Sequence, residues 1–232
     1  MAPRNRTVPK SLVVAYVSIF AALNVLSDFI PLTPILGIPG TSLSLSWIMS
    51  PLTGILLGAE MGGISCLISG LIGILLGQPP IFGAFTPLRP AVSAFITGLL
   101  ISKRWHIAAT ILSTFVVGWL ILPAGRDASI ILIFHLIGLT IILLFRGKIG
   151  DLAKSKMPKK TALGLFLATY CGNISRHLLG NILGVTISNL AYVYFILALP
   201  YTFVEQLIFA AGAMLIGVSL NHLKIHETLH LS

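Results

Sequence analysis

Apolar residues run along this chain in long blocks separated by short polar connections, without the period-two alternation of half-buried strands. A helix needs about 20 apolar residues to cross a hydrocarbon core of about 30 Å. Blocks of that kind predict spans near residues 11–30, 45–58, 60–77, 86–101, 105–122, 128–145, 161–184 and 200–221. The second block is short, and Gly54 and Gly58 permit close packing or tilt there. Glu60 divides it from the third, as a carboxylate favoured in the first turn by the helix dipole. Residues 185–199 are apolar and end at Pro200, so they either prolong the seventh span or form an outer loop or interfacial segment, where Tyr192 and Tyr194 suit the membrane boundary. Pro200 is read as the start of the last helix. The expected fold is all-α: one integral membrane domain over residues 1–232, with six to eight spans.

Composition supports lipid as the solvent. Of the 232 residues 56% are hydrophobic and 9% charged, with a mean hydropathy of +1.00; a soluble domain carries far more charge. The net charge of +9 would suit nucleic acid, but the basic residues sit between apolar blocks with no basic stripe or interleaved aromatics, which excludes that class. Their placement is a topology signal. With the N-terminus inside, Arg4, Arg6, Lys10, Lys103, Arg104, Arg146, Lys148, Lys154, Lys156, Lys159, Lys160 and Lys224 are cytoplasmic, leaving Arg89, Arg126 and Arg176 out of 15 cations. Both termini are therefore expected inside a plasma membrane. The first apolar block is an uncleaved helix rather than a signal peptide. Residues 146–160 form a basic cytoplasmic loop against anionic headgroups. Cys66 and Cys171 lie within apolar blocks as packing residues.

Ionisable side chains inside a span are costly and mark function. In the seventh span Asn173, Arg176 or His177, Gly180, Asn181 and Gly184 recur at intervals of three and four, on one helical face. Arg176 lies about 22 Å from the inner end at 1.5 Å per residue, and Glu205 about 7–8 Å from the outer end of the last span. The two meet at one depth, as a structural ion pair, as ligand groups, or both. Gln78 and Arg89 flank the loop between the third and fourth spans, and Tyr201 and Trp47 could stack on a planar ring. The candidate substrate-binding residues are Asn173, Arg176, His177, Asn181, Glu205, Arg89, Gln78 and Tyr201. Asn24 is read as an interhelical hydrogen bond and Asp28 as the end of the first helix. His135 is read as a hydrogen-bonded packing residue, and His222, His226 and His230 as a solvated tail.

Three stretches carry a family resemblance: SLSLSWIMSPLTGILLGAEMGGISCLISGLIGILLG, PPIFGAFTPLRPAVSAFITGLL and LPYTFVEQLIFAAGAMLIGVSL. They resemble the glycine-rich second and third helices, third loop and fourth helix, and proline-started last helix of substrate-binding (S) components of energy-coupling factor (ECF) transporters. The resemblance covers about half the chain. It implies a six-helix bundle, here with 105–145 as an extra hairpin, that captures a vitamin-like micronutrient near the outer surface. It also implies a transmembrane T component and two cytoplasmic ATPases as partners. The family's small-residue pattern that faces the T component has its nearest match in Ser18 and Ala22. Metal-binding members use an N-terminal histidine; MAPRNR has none, so no metal is expected.

No G-x-x-x-x-G-K-[ST] occurs, so no cofactor is expected in this chain and ATP is used by partner subunits. A stand-alone secondary transporter or channel would want ionisable groups through the membrane and repeated halves, which the sequence does not show. An intramembrane enzyme built on Ser65 with His135 or His177 is a distant third, because a nucleophile needs its base within reach. The orientation has a direct test. In a background lacking Cys66 and Cys171, a cysteine placed at Arg126 should react with a membrane-impermeant maleimide in intact cells, and one at Lys156 only after lysis.

Overall fold

The computed structural model describes residues 9–36 and 38–222, with only the backbone at 221–222. The chain folds into a bundle of helices: α1 (Lys10–Asp28), α2 (Ser46–Leu75), α3 (Leu88–Ile101), α4 (Trp105–Ile121), α5 (Pro123–Asp127), α6 (Leu132–Phe145), α7 (Lys148–Ala153), α8 (Pro158–Thr186) and α9 (Tyr192–His222). Between α1 and α2 lies a small antiparallel hairpin of β1 (Pro31–Pro34) and β2 (Ser42–Ser44), which the hydrophobic pattern did not announce. Lys10–Asp28, Ser46–Leu75, Gly83–Ile101 and Tyr192–Leu220 are long and apolar enough to cross a membrane; Trp105–Ile121 and Ser129–Phe145 are shorter apolar helices. This is a multi-pass membrane bundle.

Glycine decides its tightest part. Helix α2 is two helices joined at Gly58, whose φ of 80° and ψ of −177° lie where side chains other than hydrogen are strained. The chain reverses there, so residues 46–57 and 59–75 run antiparallel, as the second and third predicted spans. A Cβ at Gly62 would stand 2.9 Å from the Gly54 Cα. A Cβ at Gly54 would lie 2.0 Å from the Ala94 carbonyl oxygen, and one at Gly98 would lie 2.4 Å from the Ala59 backbone nitrogen. Helices α2 and α3 therefore touch backbone to backbone, as small residues allow in membranes.

The two ends of the bundle differ in chemistry. At one end the reversal at Gly58 meets the α3–α4 turn, where Glu60 pairs with Arg104 and Lys103 with Asp151 at 2.5 Å. These are the only salt bridges among the described residues. The basic connection 146–160 belongs to this end and contains α7, whose Gly150 packs on the Ile101 carbonyl. Between the ends is an apolar core including Leu52, Ile55, Leu99, Leu100, Ala168 and Ile174.

The last two spans depart from expectation. Helix α8 extends to Thr186, and 187–191 form the turn. Helix α9 then starts at Tyr192, so Pro200 lies inside it instead of opening it. The apolar run 192–199 is long enough to be helical, and proline removes one hydrogen bond without ending the helix because neighbouring helices support it. Lys10 opens α1, but Arg4, Arg6, Lys224, His226 and His230 lie outside the described residues, as does the side chain of His222.

Contact at Gly54 is specific enough to test. Gly54→Ala must displace the α3 backbone, whereas a Cβ at Gly63 makes ordinary van der Waals contacts, with the Phe95 side chain at 3.5 Å and the Ala91 carbonyl oxygen at 3.7 Å. Gly54→Ala should cost about 1–3 kcal/mol and lower the melting temperature of the detergent-solubilised protein; Gly63→Ala should leave it nearly unchanged.

Candidate functional site

At the end opposite the basic segments the helices do not close. A cavity of about 360 Å³ opens there. Apolar residues of the hairpin region, among them Ile35, Leu36 and Leu43, cover one side, and Leu190, Tyr194, Phe195, Ala198 and Tyr201 from α9 and the turn before it form another. Trp47, Phe82, Arg89, His177, Gly180, Asn181, Thr202 and Glu205 supply its polar and aromatic parts. A second cavity of about 150 Å³ adjoins it, sharing Trp47, Arg89 and Leu43, and is bounded by Asp28, Ser42, Ser44, Gln78, Thr86 and Arg176.

Arg176 is held by α2. Its Nη1 donates to the Ser46 carbonyl oxygen at 3.0 Å and to Ser50 Oγ at 3.2 Å, while Nη2 donates to Ser46 Oγ at 2.9 Å. The guanidinium also lies 4.2 Å from the Trp47 ring centroid, a cation–π contact strengthened by desolvation. With 4% of its surface exposed, Arg176 is a structural tie between α8 and the first half of α2. It forms no salt bridge with Glu205, so the expected pair is replaced by neutral oxygens. Glu205 instead lines the large cavity with Tyr201, which is 65% exposed.

Arg89 is the cation the cavity has to itself. It lies in the first turn of α3 between Pro87 and Pro90, positions where a missing N–H breaks no helical bond. Its guanidinium sits 4.9 Å from the Phe82 ring and 5.5 Å from the Trp47 ring. Gly180 makes the room: a Cβ there would stand 2.8 Å from Arg89 Nε. The side chain makes no hydrogen bond to another described residue, and its buried Nε is unpartnered. An arginine whose terminal amino groups are claimed by no protein acceptor, next to an apolar chamber, is suited to an anionic or carbonyl-bearing solute.

His177 and Asn181 also face the large cavity, joined through the Asn181 amide and His177 Nδ1 at 3.3 Å. Behind His177 lies His135, fully buried, with Nε2 3.1 Å from His177 Nδ1. His135, read from sequence as packing, is thus coupled to the cavity wall. Asn173 lies deeper, accepting from Ser93 at 2.9 Å and lining neither cavity. The Thr169 hydroxyl donates to the Ala210 carbonyl at 3.2 Å; moving one turn along each antiparallel helix brings Gln206 level with Asn173. Gln78 donates to the Asp28 carbonyl at 3.0 Å and borders only the smaller cavity.

Asn24 donates to Thr53 Oγ1 at 2.8 Å, an interhelical hydrogen bond as expected. Ser65 donates to the Val17 carbonyl at 2.9 Å, and His135 and His177 bond to each other. Ser18 and Ala22 are exposed on α1. Trp47, read from sequence as a stacking surface, does line the wall; Phe82 and the apolar hairpin residues were missed, because apolar residues in an apolar chain carry no individual signal, and a lone threonine such as Thr202 carries little more.

The tie at Arg176 gives a coupling test. Arg176→Ala and Glu205→Ala should add within about 0.5 kcal/mol in a double-mutant stability cycle, whereas Arg176→Ala and Ser46→Ala, in direct contact, should couple by roughly 0.5–3 kcal/mol.

No protein-family model matches the chain. It is 29% identical over 161 residues to an uncharacterized protein of Methanocaldococcus jannaschii, covering 69% of this chain and 54% of that protein, so it spans about half the length of the curated relative it matches. Among solved structures it is similar to the crystal structure of the S-component for biotin from an ECF-type ABC transporter. That likeness covers 92% of each chain, at 17% identity and a TM-score of 0.48.

Proposed function

We propose that this chain is the membrane-embedded substrate-binding component of an ECF-type importer, capturing a small vitamin-like solute from the outer side. One observation carries the reading: the 360 Å³ chamber places an arginine without a protein acceptor against a mostly apolar, aromatic wall. Its volume falls in the range of small-molecule sites, about 300–1,000 Å³. A solute with a largely apolar body and one anionic or carbonyl edge fits: the body replaces water against Tyr194, Phe195 and Leu190, and the edge meets Arg89.

The core beneath the cavity also favours a binder. Leu52, Ile55, Leu99, Leu100 and Leu165 pack together on the way to the basic end, so a solute in the chamber faces an apolar floor. Release to the inside then calls for work supplied by partners, a T component with two cytoplasmic ATPases, in keeping with the sequence resemblance. Lipid is the other partner. Asn181 and His177 fix the orientation of the solute, while Glu205 and Tyr201 stand at the mouth. Asn173, Arg176 and Gln78 support the site from behind it.

Mass spectrometry of small molecules released from the purified protein should identify a bound solute with an acceptor group. Arg89→Ala should weaken its binding roughly ten- to hundredfold, the loss of a charge-assisted hydrogen bond of about 1.5–3 kcal/mol, without lowering thermal stability. Arg126→Ala, an exposed change in α5, should leave binding intact. Uptake into vesicles holding this chain alone would instead establish a stand-alone transporter, and failure to find either a solute or an ATPase partner would overturn the proposal.

A further inference from the structure

His135 and His177 form a hydrogen-bonded pair whose protons can be placed by elimination. His135 Nδ1 is 2.9 Å from the Ile131 carbonyl oxygen, which can only accept, so Nδ1 carries a hydrogen. In the neutral ring Nε2 is then a bare lone pair. The nitrogen facing it at 3.1 Å, His177 Nδ1, must donate, since two lone pairs at that distance repel. His177 therefore carries its hydrogen on Nδ1, and its Nε2 is bare. The reverse choice places lone pair against lone pair at one of the two contacts. The Asn181 amide beside Nδ1 follows this choice by turning its oxygen toward the ring, an orientation set by the network.

His177 borders the large cavity, and its Nε2 makes no hydrogen bond to another described residue. We infer that His135 fixes the tautomer of His177 so that the neutral pair presents a hydrogen-bond acceptor to the solute, and that one added proton converts the same nitrogen to a donor. The proton balance is short. With one more hydrogen, His135 Nε2–H donates to His177 Nδ1, or the reverse, and in either case His177 Nε2–H points outward. The two rings share that proton and titrate as a unit. A second proton would set two imidazolium rings against each other, 5.3 Å between centroids.

Charged and titratable groups from three helices lie around this pair. Arg89 comes from α3 and Arg176 precedes His177 on α8; Glu205, Tyr194 and Tyr201 come from α9. Helix α6 contributes His135 alone, and the hairpin residues at the cavity are uncharged. Asp28 of α1 borders the adjoining cavity. Arg89 packs over Gly180, three residues from His177, about 4.5 Å along the helix. The solute edge is thereby specified: an acceptor toward Arg89 and, one turn away, an N–H or O–H toward His177. This specification rests on the solute-binding reading; the proton arrangement does not.

Nitrogen NMR of the full chain, labelled in its imidazole rings and assigned with single His→Asn variants, decides the matter. Above the pair's titration both rings should carry hydrogen on Nδ1, with Nε2 of each in the unprotonated range, the form free imidazole disfavours in water. On acidification both rings should shift together with uptake of one proton. His135→Phe should return His177 to the Nε2–H form and let it titrate alone; if that variant does not fold, the wild-type spectrum suffices. A neutral wild-type His177 protonated on Nε2, or two independent protonations, would overturn the inference. The spectrum is diagnostic whether or not a solute is found, so loss of the transport reading leaves it standing, and a bound solute beside an Nε2–H His177 removes this inference alone.

Discussion

A guanidinium inside a bilayer must be solvated by the protein, and the way this chain solvates Arg176 organises everything near it. The acceptors come from the start of α2: one main-chain carbonyl and the hydroxyls of Ser46 and, one turn on, Ser50. No carboxylate is needed, so Glu205 stays at the cavity. Trp47, between these serines in sequence, covers the guanidinium with its ring and is itself set beside Arg89. One buried cation thus fixes the aromatic wall against which the second cation is displayed.

That arrangement requires α2 to begin beside α8, and glycine makes it possible. A chain reversal at Gly58 together with backbone contacts at Gly54, Gly62 and Gly98 removes the side chains that would separate α2 from α3. Both helices then reach the cavity in one layer, delivering Trp47 and Arg89 side by side. Packing at the basic end and polarity at the other are consequences of one compact hairpin.

Much of this was legible in the sequence, for reasons that differ by residue. Blocks of apolar residues announced an all-α membrane bundle, because only a lipid-embedded fold keeps so many long apolar runs with so little charge between them. The polar face of α8 was visible since charges inside a span are rare: Arg176, His177 and Asn181 all come to the cavity region. Partners were not legible. Depth along the axis placed Arg176 near Glu205, but rotation about the axis turned it to Ser46 and Ser50, and spacing holds no information on that angle between helices. His135 is the hydrogen-bonded packing residue expected, but its partner was hidden for the same reason, lying 42 positions away. Pro200 misled because its helix-starting preference is weaker than the pull of an apolar stretch toward helix.

The twelve residues from Ser46 to the Gly58 reversal extend about 18 Å at helical rise, well short of a hydrocarbon layer of about 30 Å. Trp47 and the guanidiniums beside it are consequently recessed from the level that a full-length helix would reach. A solute entering the cavity beside that indole would leave bulk water for a region flanked by acyl chains. Shedding its hydration shell would be part of docking there, a cost that the polar groups of the wall would have to offset.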